Sequence, residues 1–364
     1  MSNSRLVKLG AFFILGASTL GTVPAAPHAR VPHAPVRVLV YHDMEGLAGQ
    51  DDWHTFLFSH PEKYPEGQKM LAADLNAVID GLFAGGATQV DVVDAHGSGN
   101  PDPDVRRDLL DPRAKQLTRD KPFDPYVDII APNTYDAVVA VAMHAKTGSR
   151  GFASHTITLG MDVLMNGRSI TESEIVAYSW GRVGVPLVFV SGDDRLQNDL
   201  KGMPWLEFVV TKKATSASTV DLRSVDSVHA EMREKAARAL KNLAKAKAMT
   251  IKTPIQAGLH AAPPASLASL EGVPGIAYAN QTVTFTAPDF KRAYDGVLAL
   301  VRVARAGYPQ VLVETVQKLP DARQVMGDYQ DALFVRWMDA ESGRWKPPAG
   351  PPTPPAGKLY YGDR

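Results

Sequence analysis

Three apolar stretches of strand length each run straight into side chains that can bind a cation, and this recurrence narrows the folds open to the chain. Residues 36–41 lead into His42-Asp43-Met44-Glu45-Gly46, residues 89–94 into Ala95-His96-Gly97, and residues 137–142 into Met143-His144. Between the first two, Leu71, Leu75, Val78, Ile79 and Leu82 recur at helical spacing over 70–83, and Gly85-Gly86 closes the pattern. Strand, helix and strand in that order form a right-handed parallel crossover. In open α/β sheets the ligand crevice lies at the carboxyl ends of the parallel strands. The sequence therefore predicts an α/β fold with a mostly parallel sheet flanked by helices, which brings Asp43, Glu45, His96 and His144 to one neighbourhood.

On a strand, side chains alternate between faces, so Asp43 and Glu45 are expected to point the same way, ~6–7 Å apart, and His42 the opposite way in a packing role. Carboxylate and imidazole without thiolate suit zinc, manganese or iron. The chain has no cysteine, which removes thiolate ligands, cysteine nucleophiles and disulfides together. Each residue also has a plainer reading. An isolated Asp-x-Glu commonly caps a turn, a lone histidine is commonly a hydrogen-bonded core residue, Glu172 at a helix start favours the helix dipole, and His155 fits an ordinary loop. The recurrence at three strand ends favours the metal reading. Asp94, two residues before His96, is expected to fix that imidazole.

Further along, residues 97–125 are rich in Gly, Pro and Asp and read as a long loop with a short helix near 105–110. Residues 156–159 and 162–165, with Asn166-Gly167 as a turn signal, read as a hairpin. A helix over 172–183, strands at 186–190 and 206–210, and a helix over 228–247 follow. A smaller C-terminal α/β region starts near 253, with a strand at 282–286 and a helix from Asp289 to Ala304. The expected organisation is a signal peptide at 1–26, a metal-binding α/β catalytic domain at 36–215, a helix/strand domain at 216–307, and an extension at 308–364 with a proline-rich tail at 347–355.

Lys plus Arg and Asp plus Glu both number 39, so the electrostatic attraction that nucleic acid binding needs is missing. Arg5 and Lys8, an apolar stretch from 9 to 20 and small residues around Val23, Ala25 and Ala26 form a secretory signal. The protein is thus expected to be exported, periplasmic or extracellular, with no stable membrane span once the signal is cleaved. No H-E-x-x-H, G-x-S-x-G, Walker loop or strand-following G-x-G-x-x-G occurs. Ser98 and Ser191 follow strands, but no base pairs with either.

Five blocks together resemble the D-aminopeptidases of the DppA type, zinc metallopeptidases with a two-metal centre. They are His42-Asp43-Met44-Glu45-Gly46, Asp94-Ala95-His96-Gly97, Met143-His144-Ala145-Lys146, Ser154-His155-Thr156 with Asn166-Gly167-Arg168 and Glu172, and Ser191-Gly192-Asp193-Asp194-Arg195. A sixth, Thr282 to Asp289 with Ala293-Tyr294, is similar to the family's carboxy-terminal strand and helix. The resemblance implies two divalent ions, zinc in the family, bridged by Asp43, with Glu45 and His96 completing one site and His144 and Glu172 the other. It places the catalytic histidine at His155, beside a bridging hydroxide that attacks the scissile carbonyl. Two divalent cations, three carboxylates and one hydroxide sum to neutrality. The implied activity is release of N-terminal, D-configured residues from short peptides by a homo-oligomer that encloses its sites. The same centre also suits hydrolysis of another amide or a phosphate ester, or a non-catalytic binding role in the same crevice. His42 departs from the family, which has a small or apolar residue there, and everything after Gly307 lies beyond the resemblance.

Overall fold

The structure, a computed structural model, describes residues 35–344, 346 and 358–362. The signal segment at 1–26 and the proline-rich tail lie outside the described residues. The strands in chain order are β1 (Val36–His42), β2 (Ala87–Asp94), β3 (Lys115–Gln116), β4 (Ala137–Met143), β5 (Met161–Met165), β6 (Arg168–Ile170), β7 (Leu187–Gly192), β8 (Glu207–Val210), β9 (Lys212–Ala214), β10 (Val220–Leu222), β11 (Ile255–Ala261), β12 (Tyr278–Ala279) and β13 (Thr282–Ala287). The helices are α1 (Tyr64–Gly85), α2 (Glu172–Gly181), α3 (Asp194–Asp199), α4 (Val225–Lys241), α5 (Phe290–Ala304), α6 (Tyr308–Val316) and α7 (Ala322–Glu341).

A six-stranded sheet in the order β3-β2-β1-β4-β7-β8 forms the centre, and every pairing in it is parallel. Its inner strands β1, β4 and β7 are buried on both faces, which is why they read as continuous apolar runs. Within β1, Val38 and Val40 pack with α1 and α4 on one side. Leu39 and Tyr41 pack on the other side with α2, α5 and a second, antiparallel sheet. That sheet has the order β12-β13-β11-β5-β6 and is the smaller region expected from the sequence. It takes β5 and β6 from before residue 215 and the other three strands from after it, so the expected boundary at 215/216 does not separate the two sheets.

Two local expectations need correction. Residues 105–110 form turns rather than a helix, held by side chains such as Gln68, whose amide donates to Asp104 O at 2.9 Å. Residues 156–159 make only an isolated bridge between Thr156 and Thr158. The hairpin instead joins β5 to β6, since Asn166 and Gly167, at φ 51° and 76°, turn the chain there as a two-residue hairpin requires.

Gly46 shows why a glycine closes the first motif. Its N–H donates to Ala142 O at 2.8 Å, and a Cβ there would lie 2.1 Å from the Met143 carbonyl oxygen. The turn after β1 can therefore lie against the end of β4 only if residue 46 has no side chain. Gly46→Ala is expected to cost about 1–3 kcal/mol through this clash. Chemical denaturation checks it, and unchanged stability would contradict the packing described.

Candidate metal centre

β1 ends at His42, so Asp43 and Glu45 converge through the turn and not through strand alternation. Asp43 N donates to Val141 O at 3.0 Å, which ties the turn to β4. Beneath it, the Lys212 ammonium donates to Glu45 O at 2.7 Å, Gln50 O at 3.3 Å and Gln50 Oε1 at 2.6 Å. Burial pushes this lysine down to about 7, against the pull of Asp193, Asp74 and Glu45. Lys212 was not singled out from the sequence. Its one signal is a lysine two residues after the apolar run of β8.

Asp43 divides its two oxygens between two groups of donors. Oδ1 lies 2.8 Å from His96 Nδ1, which is also 3.1 Å from Glu45 Oε2. Oδ2 lies 3.3 Å from His144 Nε2, which is 3.6 Å from Glu172 Oε1. Asp43, Glu45, His144 and Glu172 are all buried. Asp43, Glu45 and His96 present ligand atoms within 4.8 Å of one another, and so do Asp43, His144 and Glu172. The five residues expected as metal ligands thus meet in two trios that share Asp43. His155 also comes close enough to Glu45 and His144 to form a third trio.

The donor set fits a metal on structural grounds as well. His96 Nε2 faces Phe56 O at 2.8 Å and His144 Nδ1 faces Ala145 O at 3.0 Å. A carbonyl only accepts, so in each neutral ring the other nitrogen turns its lone pair towards the carboxylates, as metal-binding imidazoles do. His144 Nε2 is buried without a hydrogen-bond partner among the described residues. Oxygen and imidazole nitrogen without thiolate are suitable ligands for zinc.

Charge explains the titration of the group. Burial would raise Asp43, but hydrogen bonding with Glu45 and His96 and the charge on His144 hold it well below the usual carboxylate range. Burial and the neighbouring Asp43 charge push Glu45 up to about 7. Burial works against charge on His96 and His144, yet the Glu45 and Asp43 carboxylates around the first, and Glu172 and Asp43 around the second, raise both well above the ordinary imidazole value. Without metal, protons supply the cationic charge that three buried carboxylates demand.

Glu172 stands in the first turn of α2, whose N-cap Thr171 forms a capping box with Glu174. Its Oε2 accepts from the Tyr126 hydroxyl at 2.7 Å and its Oε1 from Ile157 N at 2.6 Å. Ile157 has φ 73°, which a β-branched residue adopts only under strain of about 1–3 kcal/mol. The hydrogen bond to a charged carboxylate offsets part of that. Tyr126 escaped sequence reading because it lies in an aperiodic loop.

His155 stacks on His144 with ring centroids 4.0 Å apart and 16° between planes. Its Nδ1 faces Ala153 O at 2.7 Å, and burial together with the His144 charge lowers it to about 4. Its loop rests on Asp193, which accepts from Phe152 N at 2.8 Å, so the Ser191-to-Arg195 block supports the site without entering it. Asp94 corrects another expectation. It accepts from the main-chain N of His96 at 3.0 Å and of Asp104 at 2.8 Å, while the carbonyl of Phe56 fixes the far side of the ring. His42 is buried with neither ring nitrogen hydrogen-bonded among the described residues. Ser98 donates to Asp104 and Ser191 accepts from Ala142 N at 2.9 Å, both structural roles. A cavity of about 450 Å³ opens over Asp43, His96, His155 and Glu172.

Comparison with known proteins agrees with this chemistry. The profile of the D-aminopeptidase family matches residues 36–299. A D-aminopeptidase of Bacillus subtilis (strain 168) is 28% identical over 267 residues, spanning 72% of this chain and 95% of that protein. The solved structure of the Zn-dependent D-aminopeptidase DppA from Bacillus subtilis, described as a self-compartmentalizing protease, superposes with a TM-score of 0.66 at 26% identity. The superposition covers 74% of this chain and 98% of that one.

A metal held by these residues would displace the protons on His96, His144 and Glu45, so the apparent zinc affinity is expected to rise with pH through about 7, where Glu45 titrates, and to go on rising above it as the raised histidines lose theirs, with net proton release. Calorimetric titration in buffers of different ionisation enthalpy measures this. An affinity independent of pH would contradict the charge assignment.

Proposed function

This chain belongs to the D-aminopeptidase family and is a metallo-aminopeptidase, and from that premise we propose that it releases N-terminal D-amino acids from short peptides at a two-zinc centre built on Asp43. Glu45 and His96 would complete one zinc site, and His144 and Glu172 the other. The observation that carries this reading is the division of the Asp43 oxygens between the His96 and His144 sides, at 2.8 and 3.3 Å. Bound zinc supplies a water of lowered pKa and polarises the scissile carbonyl.

The remaining work falls to the chain's own groups. Tyr126 and the Ile157 N–H orient Glu172. His155, lowered to about 4, is neutral at physiological pH. Its Nδ1–H is anchored on Ala153 O, so Nε2 is left to accept a proton and pass it to the departing amine. The cavity, about 450 Å³, suits a ligand of a few residues. Export is supported by the charged, apolar and small-residue order of residues 5–26. Assembly into a homo-oligomer is supported by the self-compartmentalizing character of the Bacillus relative.

Hydrolysis of D-alanyl and L-alanyl amides before and after chelation tests the reading. D-selective activity that is lost with the metal and restored by zinc is expected, while equal activity on both enantiomers, or activity that survives full metal removal, would refute it. His155→Ala is expected to keep its zinc and lose about 10²–10⁴-fold in kcat. Full turnover in that variant would reject the role given to His155.

A further inference from the structure

The wall of the cavity formed by α5 changes chemistry along its length. Tyr294, Leu298, Val301, Arg302 and Arg305 all line it, at spacings that put them on one helix face. The Tyr294 end is next to the metal centre, because its ring lies 6.2 Å from that of Tyr126, whose hydroxyl holds Glu172. Leu298 and Val301 come next, and two guanidinium groups follow. The cavity therefore runs from buried carboxylates through an apolar stretch to two exposed guanidinium groups.

A helix C-terminus favours arginine in any case. Two arginines on the cavity face, neither paired with a carboxylate among the described residues, exceed that requirement. Among the described residues, the Arg305 guanidinium lies over the Tyr308 ring, 5.8 Å from its centroid. At the helical rise, Arg302 and Arg305 are about 12 and 16 Å further along α5 than Tyr294. Helical side chains lean back towards the N-terminus, here towards the metal centre, which shortens the gap. Extended chain covers about 3.3–3.6 Å per residue, so the distance suits roughly two to four residues. The family profile itself ends at residue 299, just before both arginines.

We propose that Arg302 and Arg305 bind the free C-terminal carboxylate of the substrate, which makes unblocked peptides of two to four residues the preferred class. The inference rests on the aminopeptidase reading of the same cavity. A peptide whose amine and scissile bond lie at the carboxylate end presents its own carboxylate to the two guanidinium groups, a geometry in which arginine is the favoured partner.

The test compares kcat/KM for a D-alanyl tripeptide as free acid and as C-terminal amide. Wild type is expected to prefer the acid by roughly tenfold, and added salt is expected to raise KM for the acid more than for the amide. In the double variant Arg302→Gln/Arg305→Gln the acid-to-amide ratio is expected to fall towards one, through KM more than kcat. Amide turnover without acid preference in wild type, or a ratio retained in the double variant, overturns this inference alone. A wild type inactive on both substrates overturns the peptidase reading and this inference with it.

Discussion

Three carboxylates are buried within reach of one another at the end of a parallel sheet, and much of the surrounding structure answers that concentration of negative charge. Removing a carboxylate from water costs several kcal/mol unless positive charge and hydrogen bonds replace the lost hydration. Asp43 receives them on both oxygens, from His96 and His144. Glu172 receives Tyr126 and the main chain of Ile157. The backbone of the Glu45 turn is held from below by Lys212. The fold supplies the neighbourhood, protons complete it in the metal-free protein, and zinc would take their place in the proposed centre.

Rigidity of the centre comes from backbone contacts more than from side chains. Gly46 and Gly192 both bring main chain against the Met143 carbonyl, where a Cβ would stand 2.1 and 2.3 Å away. β1, β4 and β7 are thereby drawn together just before they deliver Asp43, His144 and the Asp193 support of the His155 loop. Carbonyls of Phe56, Ala145 and Ala153 each hold one nitrogen of a site histidine, so all three rings are oriented by segments that carry no chemistry themselves. Preorganisation of this kind keeps ligands in place through a catalytic cycle.

The central strands were legible because burial on both faces of a parallel sheet demands unbroken apolar runs, and their ends gave away His96 and His144. The pairing of Asp43 with Glu45 was legible for the wrong reason, since a turn rather than the pleat brings the two together. His155 and Glu172 were reached through resemblance, because neither a loop histidine nor a glutamate in a first helical turn stands out by pattern. Tyr126 and Lys212 left almost no trace. Each depends on contacts between segments far apart in the chain, as when Lys212 reaches Glu45 and Gln50 across 167 and 162 positions. The hairpin partner of β5 was misplaced because 156–159 has the composition of a strand, while the Asn166-Gly167 geometry selects β6.

Beyond the family match the chain adds α6 and α7, the latter burying none of its side chains. Residues 358–362 then return to the site, where Tyr360 bridges Arg119 and Tyr361 O accepts from Asp94 N at 3.1 Å. The account as a whole depends on one carboxylate serving two ions, and metal content per chain tests that most directly. Two zinc ions per wild-type chain, with both lost in Asp43→Ala, is the expected result. One zinc per wild-type chain, or two retained without Asp43, would contradict it.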